Sequence, residues 1–344
     1  MIKERIKEIL NPRSRNYPVI NIMGVSGAGK TFYTAMTVLH AVCLGCIVGE
    51  DVFMGTPYRI IGRVGANTVR LDEIINSLDD EEVERLIRLS DADLIENLFV
   101  TPVSEGKGYK EGTLRNPAIL PFSFYIPPFG SITALLVDIA GYDCYCLGAY
   151  INERLRRSNP CLENTEGKRA LLLKRVYELL TKIVKASDGF IYIPYVRSYM
   201  LREGGIDKDK ERDILWIEGS LMSNVLKYAR DKGKHVTILI NKYDIMKDSY
   251  AKKPPSRILY EIIFGKGKEP RLANAQEIRD LLIDLHKKRK LLIGSIKPRL
   301  PVKELEKRIM KGDVPNEPPG NYLPTFLVNY LFTQKPYYIA RGVE

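Results

Sequence analysis

Three short stretches carry residue types that chemistry needs, and each follows directly on an apolar run. In Gly24-Val25-Ser26-Gly27-Ala28-Gly29-Lys30-Thr31, glycines bracket a loop that ends in a lysine and a hydroxyl. Gly24 and Gly29 allow the backbone to curl so that its N–H groups, those of Ser26, Gly27 and Ala28 included, point inward as a nest for phosphate oxygens. A helix opening near Lys30 adds unpaired N–H groups and the positive end of its dipole. Lys30 is expected to reach the β- and γ-phosphates, and the Thr31 hydroxyl to ligate Mg²⁺. The spacing therefore predicts a bound nucleoside triphosphate.

The second stretch is Asp138-Ile139-Ala140-Gly141. An acid at the tip of a strand beside the phosphate loop faces Thr31 and holds Mg²⁺ through a water. Gly141 offers a bare N–H to the terminal phosphate, so losing that phosphate releases the loop behind it. The third, Asn241-Lys242-Tyr243-Asp244, bears on the base. A carboxylate only accepts hydrogen bonds. Asp244 thus suits guanine, which presents two donors on one edge, and mismatches adenine, which presents an acceptor there. Lys242 lays its stem along the base and Asn241 braces the neighbouring loops.

Buried strands must position these stretches. Val19–Met23, Ser131–Asp138, Phe190–Pro194 and His235–Asn241 are nearly continuous apolar runs separated by helical patterns. Such strands belong to a parallel-dominated α/β sheet covered on both faces. Phe122–Ile126 alternates and meets Ser131–Asp138 across Pro127-Pro128-Phe129-Gly130, predicting a hairpin and one antiparallel edge strand. Helices are expected over 1–10, from Lys30 to about Cys43, and over 167–186, 214–231 and 273–288. Further ones are expected over 302–311 and 324–332. The tyrosine- and cysteine-bearing stretch after Gly141 reads as irregular. Residues 71–98 hold Asp72, Glu73, Asp79, Asp80, Glu81, Glu82, Glu84, Asp91, Asp93 and Glu96, opposed only by Arg85 and Arg88. Apolar residues recur among them at helical spacing, with Ser77 and Ser90 as N-caps. Two or three short helices are predicted, either docked on a basic body or offered to a partner.

At 344 residues, with 45% hydrophobic and 28% charged, the composition is that of an ordinary globular chain. No apolar run reaches a membrane span, and the charged start lacks a signal peptide's core, so a cytoplasmic protein without a transmembrane segment is expected. The cysteines Cys43, Cys46, Cys144, Cys146 and Cys161 are odd in number and read as buried thiols rather than a disulfide framework. A net charge of +11 invites an anionic partner, with nucleic acid, a ribosome or an acidic membrane surface as candidates.

In motif order and strand context the chain resembles the P-loop GTPases of the Ras-like and translation-factor class. The likeness rests on Gly24–Thr31, Asp138–Gly141 and Asn241–Asp244, and extends over about residues 17–300. Ser295-Ile296-Lys297 is similar to the family's last motif, whose backbone contacts the guanine carbonyl. The resemblance implies a three-layer sandwich with a six-stranded, mostly parallel sheet and one antiparallel edge strand. It further implies GTP or GDP and Mg²⁺ as ligands, a GTPase domain over 1–300 with a mostly helical acidic insertion at about 50–112, and a proline-rich extension over 301–344. Thr113 is the expected switch threonine for Mg²⁺, with Thr101 and Thr56 as alternatives. Tyr142 stands where many members carry a water-orienting glutamine. Hydrolysis is then slow, uses Asp143, or needs an activating partner. A GTP-hydrolysing switch with a protein effector is the function implied. A nucleotide-occupied scaffold and an ATP-dependent enzyme are the alternatives.

Overall fold

The computed structural model describes residues 7–11, 18–25, 28–30, 33, 68–100, 114–115, 118–126, 130–139, 141–151, 162, 165–195, 218–241, 275–288, 290–293, 304 and 307. Strand β1 (Val19–Met23) is buried along its whole length, as a strand covered on both faces must be. Its one polar side chain, Asn21, donates to the Ser187 hydroxyl. β2 (Thr68–Val69) and β3 (Leu114–Arg115) form a small parallel pair of their own. The main sheet takes β4 (Ala118–Ile126), β5 (Gly130–Asp138), β6 (Gly189–Tyr192), β7 (His235–Ile240) and β8 (Leu291–Ile293). Its order is β4-β5-β1-β6-β7-β8. β5, β1, β6, β7 and β8 run parallel, whereas β4 pairs antiparallel with β5 from Ala118 opposite Asp138 to Ile126 opposite Gly130. The hairpin is longer than Phe122–Ile126 alone predicts, because β4 runs through Pro121. An edge strand tolerates a proline that a central one does not.

Helices α1 (Leu71–Asn76), α2 (Asp80–Arg88) and α3 (Asp91–Ile95) make up the acidic segment, and a π turn over Glu96–Val100 continues α3. Ser90 caps α3 by accepting the Asp93 N–H, as expected. Ser77, however, closes α1 rather than opening α2; the cap of α2 is Asp79, which accepts from Glu82. A serine three residues past an apolar pair serves either end, and the carboxylate nearer the acidic turn takes the N-terminus of α2.

α4 (Gly141–Ile151) occupies the stretch that reads as irregular from sequence. It is apolar nearly all round, so no amphipathic period marks it, and such a helix is stable only when buried. Cys144, Cys146, Leu147, Ala149 and Tyr150 are indeed buried. Cys146 is disulfide-bonded, which departs from the expectation of reduced thiols throughout, whereas Cys144 is a free thiol.

α5 (Gly167–Ala186) buries Leu172, Leu173, Val176, Tyr177, Leu180, Ile183 and Val184 at helical spacing. α6 (Lys227–Asp231) follows a π turn over Met222–Leu226, and α7 (Ala275–Lys287) packs Ile278, Leu281, Leu282 and Leu285 beside β7 and β8. The acidic helices dock on α5, as the opposite charges suggest. Arg175 donates to the carbonyls of Ile87 at 2.5 Å and Leu89 at 2.6 Å, and to Asp91 at 3.0 Å. Arg169 reaches the Leu78 carbonyl at 2.7 Å and Asp80 at 2.8 Å, while Lys168 pairs with Glu84 and Lys182 with Asp91. Burial pushes the Asp91 carboxyl up, but Arg175 and Lys182 outweigh it and hold the group below its usual range. Among the described residues, no helix is long and apolar enough to cross a membrane. The helices expected between about 34 and 43 and over 324–332, and all of 302–311 except residues 304 and 307, lie outside the described residues.

Candidate functional site

Register brings the sequence motifs to one edge of the sheet. Ile22 stands opposite Asp138, Met23 opposite Tyr192, Tyr192 opposite Ile238, and Ile240 opposite Ile293. The parallel strands therefore end together, and the chain leaves them at Ile139, Gly24, Ile193 and Asn241 in that order across the sheet. β5 and β6 are consecutive in the main sheet, yet lie on opposite sides of β1. Open α/β sheets bind ligands at such a switch point, outside the carboxyl ends of the strands.

The loop after β1 is held tightly. Gly24 has φ +145°, and a Cβ there would overlap the carbonyl oxygen of Ile193. Only glycine combines that conformation with so close an approach. The Ile193 N–H in turn donates to the Met23 carbonyl at 2.8 Å, locking the exit of β6 to that of β1. Gly29 also has positive φ, at 96°. Within the loop the Ala28 N–H reaches the Val25 carbonyl at 3.3 Å, and the Tyr33 N–H reaches Gly29 at 2.8 Å as the first helical bond. Lys30 is only 6% exposed, and its Nζ donates to the Val25 carbonyl at 3.2 Å.

Asp138 closes β5 and is 2% exposed. Its carboxylate is an oxygen donor of the kind a hard divalent cation takes, at the end of the strand beside β1, and among the described residues no group of three His, Cys, Asp or Glu gathers as a full ligand set. Asn241 follows β7 and is buried at 3% exposure.

Gly141 is the first residue of α4. Tyr142 is half-buried, with the Arg70 guanidinium 3.8 Å from its ring centroid. Burial pushes its phenol up, and Arg70 opposes that shift. Asp143 is fully buried. Its Oδ1 accepts the Leu71 N–H at 3.4 Å, and its Oδ2 has no hydrogen-bond partner. Loss of solvent pushes this carboxyl up to about 8, against the pull of the Leu71 N–H. Neither side chain is held as a water-orienting group would be.

Three residues that sequence reasoning passed over belong to the surroundings of the site. Cys144 donates to the Ile139 carbonyl at 3.4 Å, tying the first turn of α4 to the exit of β5. Burial pushes its thiol up to about 11, so it stays neutral although Lys30 favours the thiolate. Its position three residues past Gly141 would have pointed to it, had α4 been legible. Glu218 is buried and accepts the Tyr195 N–H at 2.6 Å, fixing the chain just beyond Ile193. Arg70 reaches Tyr142 from the acidic segment, across a sequence gap that no local pattern spans.

Ser26, Gly27, Thr31, Thr56, Thr101, Thr113, Lys242, Asp244, Ser295, Ile296 and Lys297 lie outside the described residues. Thr113 directly precedes β3 in the chain, and residues 295–297 follow β8 after one residue. No protein-family model matches the chain, and no curated protein is significantly similar to it.

Proposed function

We propose that this chain binds GTP with Mg²⁺ and hydrolyses it slowly, acting as a nucleotide-dependent switch built on a P-loop NTPase three-layer sandwich. The observation that carries this reading is the convergence of Gly24, Lys30, Asp138, Gly141 and Asn241 on one sheet edge, about a loop whose first glycine has no room for a Cβ. Lys30 exchanges its contact with Val25 for the β- and γ-phosphate oxygens. Thr31 and Asp138 hold Mg²⁺, with Thr113 as the switch ligand. When bound, the ion neutralises charge that builds on the phosphates. The Gly141 amide meets the terminal phosphate.

β7 lies two strands from β1, which at ordinary strand spacing is roughly 10 Å. Asn241, Lys242 and Asp244 therefore receive the base well clear of the phosphates, and Ser295, Ile296 and Lys297 close over it from the neighbouring strand. Asp244 accepts from the guanine edge. Titration of the purified chain with fluorescent GTP, competed by ATP and xanthosine triphosphate, tests this. GTP is expected to win, and Asp244→Asn to lose GTP and gain the xanthine nucleotide. Unchanged preference in that variant overturns the base assignment.

A second reading has an observation of its own. Tyr142 lies under Arg70, and the Asp143 carboxylate is turned to the Leu71 amide, so the two residues best placed in sequence to orient water are engaged elsewhere. A nucleotide-occupied scaffold with negligible turnover is consistent with that. Single-turnover hydrolysis separates the two readings: phosphate released over minutes to hours supports the switch, and none, even with Tyr142→Gln, supports the scaffold.

A further inference from the structure

The acidic segment touches the body of the protein in two different ways. Along α5 it is clamped by Arg169, Arg175, Lys168 and Lys182. At its N-terminal end, where α1 also packs on α5, it touches the first turn of α4 as well. Arg70 lies over Tyr142, and the Leu71 N–H reaches Asp143. Arg70 is held for this by Asp72, and by Glu73 at 3.6 Å. Asp72 is itself buried, so the guanidinium is fixed from within the segment.

Tyr142 and Asp143 directly follow Gly141 in the chain. A backbone shift that carries Gly141 toward a phosphate cannot leave them in place. We infer that the paired contacts of Arg70 with Tyr142 and of Leu71 with Asp143 couple the terminal phosphate to the acidic segment, Arg70 acting as a positioning residue that holds the turn at Gly141 in its phosphate-free arrangement. The coupling rests on the nucleotide reading given above. The Leu71–Asp143 bond, at 3.4 Å, is the long one and yields first. Triphosphate binding loosens the Arg70–Leu71 end of α1, while α2 and α3 stay docked on α5 through Arg175, Lys168 and Lys182.

Linkage makes the idea quantitative. If the triphosphate breaks these contacts, then removing them must favour the triphosphate by the same factor. The probes are GDP and guanylyl imidodiphosphate, titrated separately against wild type, Arg70→Ala, Arg70→Lys, Tyr142→Leu and the Arg70→Ala/Tyr142→Leu double variant. Arg70→Ala should raise the preference for the triphosphate analogue over GDP about fivefold, Arg70→Lys should raise it less, and the double variant should add nothing to the larger single effect. Hydrogen exchange should show faster Leu71–Ile75 amides in wild type with the analogue than with GDP, at unchanged protection of Val83 and Leu86. A preference unmoved in Arg70→Ala, two effects that simply add, or equal exchange in both nucleotide states each overturns the coupling while leaving nucleotide binding intact. Failure of wild type to bind either nucleotide overturns the proposed function, and the coupling with it.

Discussion

The ammonium of Lys30 donates to the carbonyl of Val25 at 3.2 Å, so the loop after β1 closes on its own cation. This self-contact keeps a buried charge satisfied, and under the proposed function phosphate oxygens replace the carbonyl. Lys30→Ala removes a side chain whose hydrogen bond to Val25 lies within one loop and crosses to no other strand, so the fold should persist. Triphosphate affinity should fall roughly 100-fold or more, in line with the loss of charge-assisted bonds. Fluorescent-nucleotide titration beside a circular-dichroism melt checks both halves; unchanged affinity contradicts the assigned role.

Gly24 should be the least replaceable glycine of the described set. Its φ of +145° and the overlap of any Cβ with Ile193 act together, so Gly24→Ala should cost about 2–5 kcal/mol. Gly233 provides the control. It has φ +70° with open space around it, and Gly233→Ala should cost about 1 kcal/mol. Urea unfolding of the two variants measures the contrast.

Asp143 predicts a pH dependence with a definite sign. Its carboxyl is pushed up to about 8 in the folded chain by burial, whereas in the unfolded chain it keeps the ordinary carboxylate range. Between those values the folded state holds a proton that the unfolded state has released. This group's contribution to stability is therefore full below the unfolded value, falls as pH rises to about 8, and is level beyond. Asp143→Asn removes the decline. Compared with wild type, the variant should gain on the order of 1 kcal/mol per pH unit across that window, read as the difference in urea midpoints from pH 5 to pH 9.

Arg175 should matter far more than the exposed lysine beside it. It satisfies the Ile87 and Leu89 carbonyls where α2 ends, and Asp91 where α3 begins. Arg175→Gln leaves those carbonyls short of a donor and should cost about 2 kcal/mol, with faster hydrogen exchange over α2 and α3. Lys168→Ala breaks only a solvent-exposed pair with Glu84 and should leave the unfolding midpoint in place.

How much of this was legible in the sequence depended on what each segment is packed against. β1, β6 and β7 are buried along nearly their whole lengths, which writes a continuous apolar run into the chain. The amphipathic α5 and α7 carry the helical period of a single covered face, and both appear within a residue or two of expectation. The strand-end positions of Gly24, Asp138 and Asn241 were legible because an apolar run leads into each. α4 was not, since burial all round erases the period. Ser77 was placed at the wrong helix end, because a hydroxyl serves both and only Asp79 decides between them. The pair Arg70–Tyr142 joins residues that only tertiary structure brings together.

Leu71, Ile74, Val83, Leu86 and Leu94 belong to the same buried cluster as Leu172, Val176 and Leu180, with no seam between the acidic helices and the sheet-bearing body. A shortened chain that keeps the main sheet but lacks the acidic helices would expose the greasy flank of α5 to water. It should clump or fail to express, however well the loop after β1 is preserved.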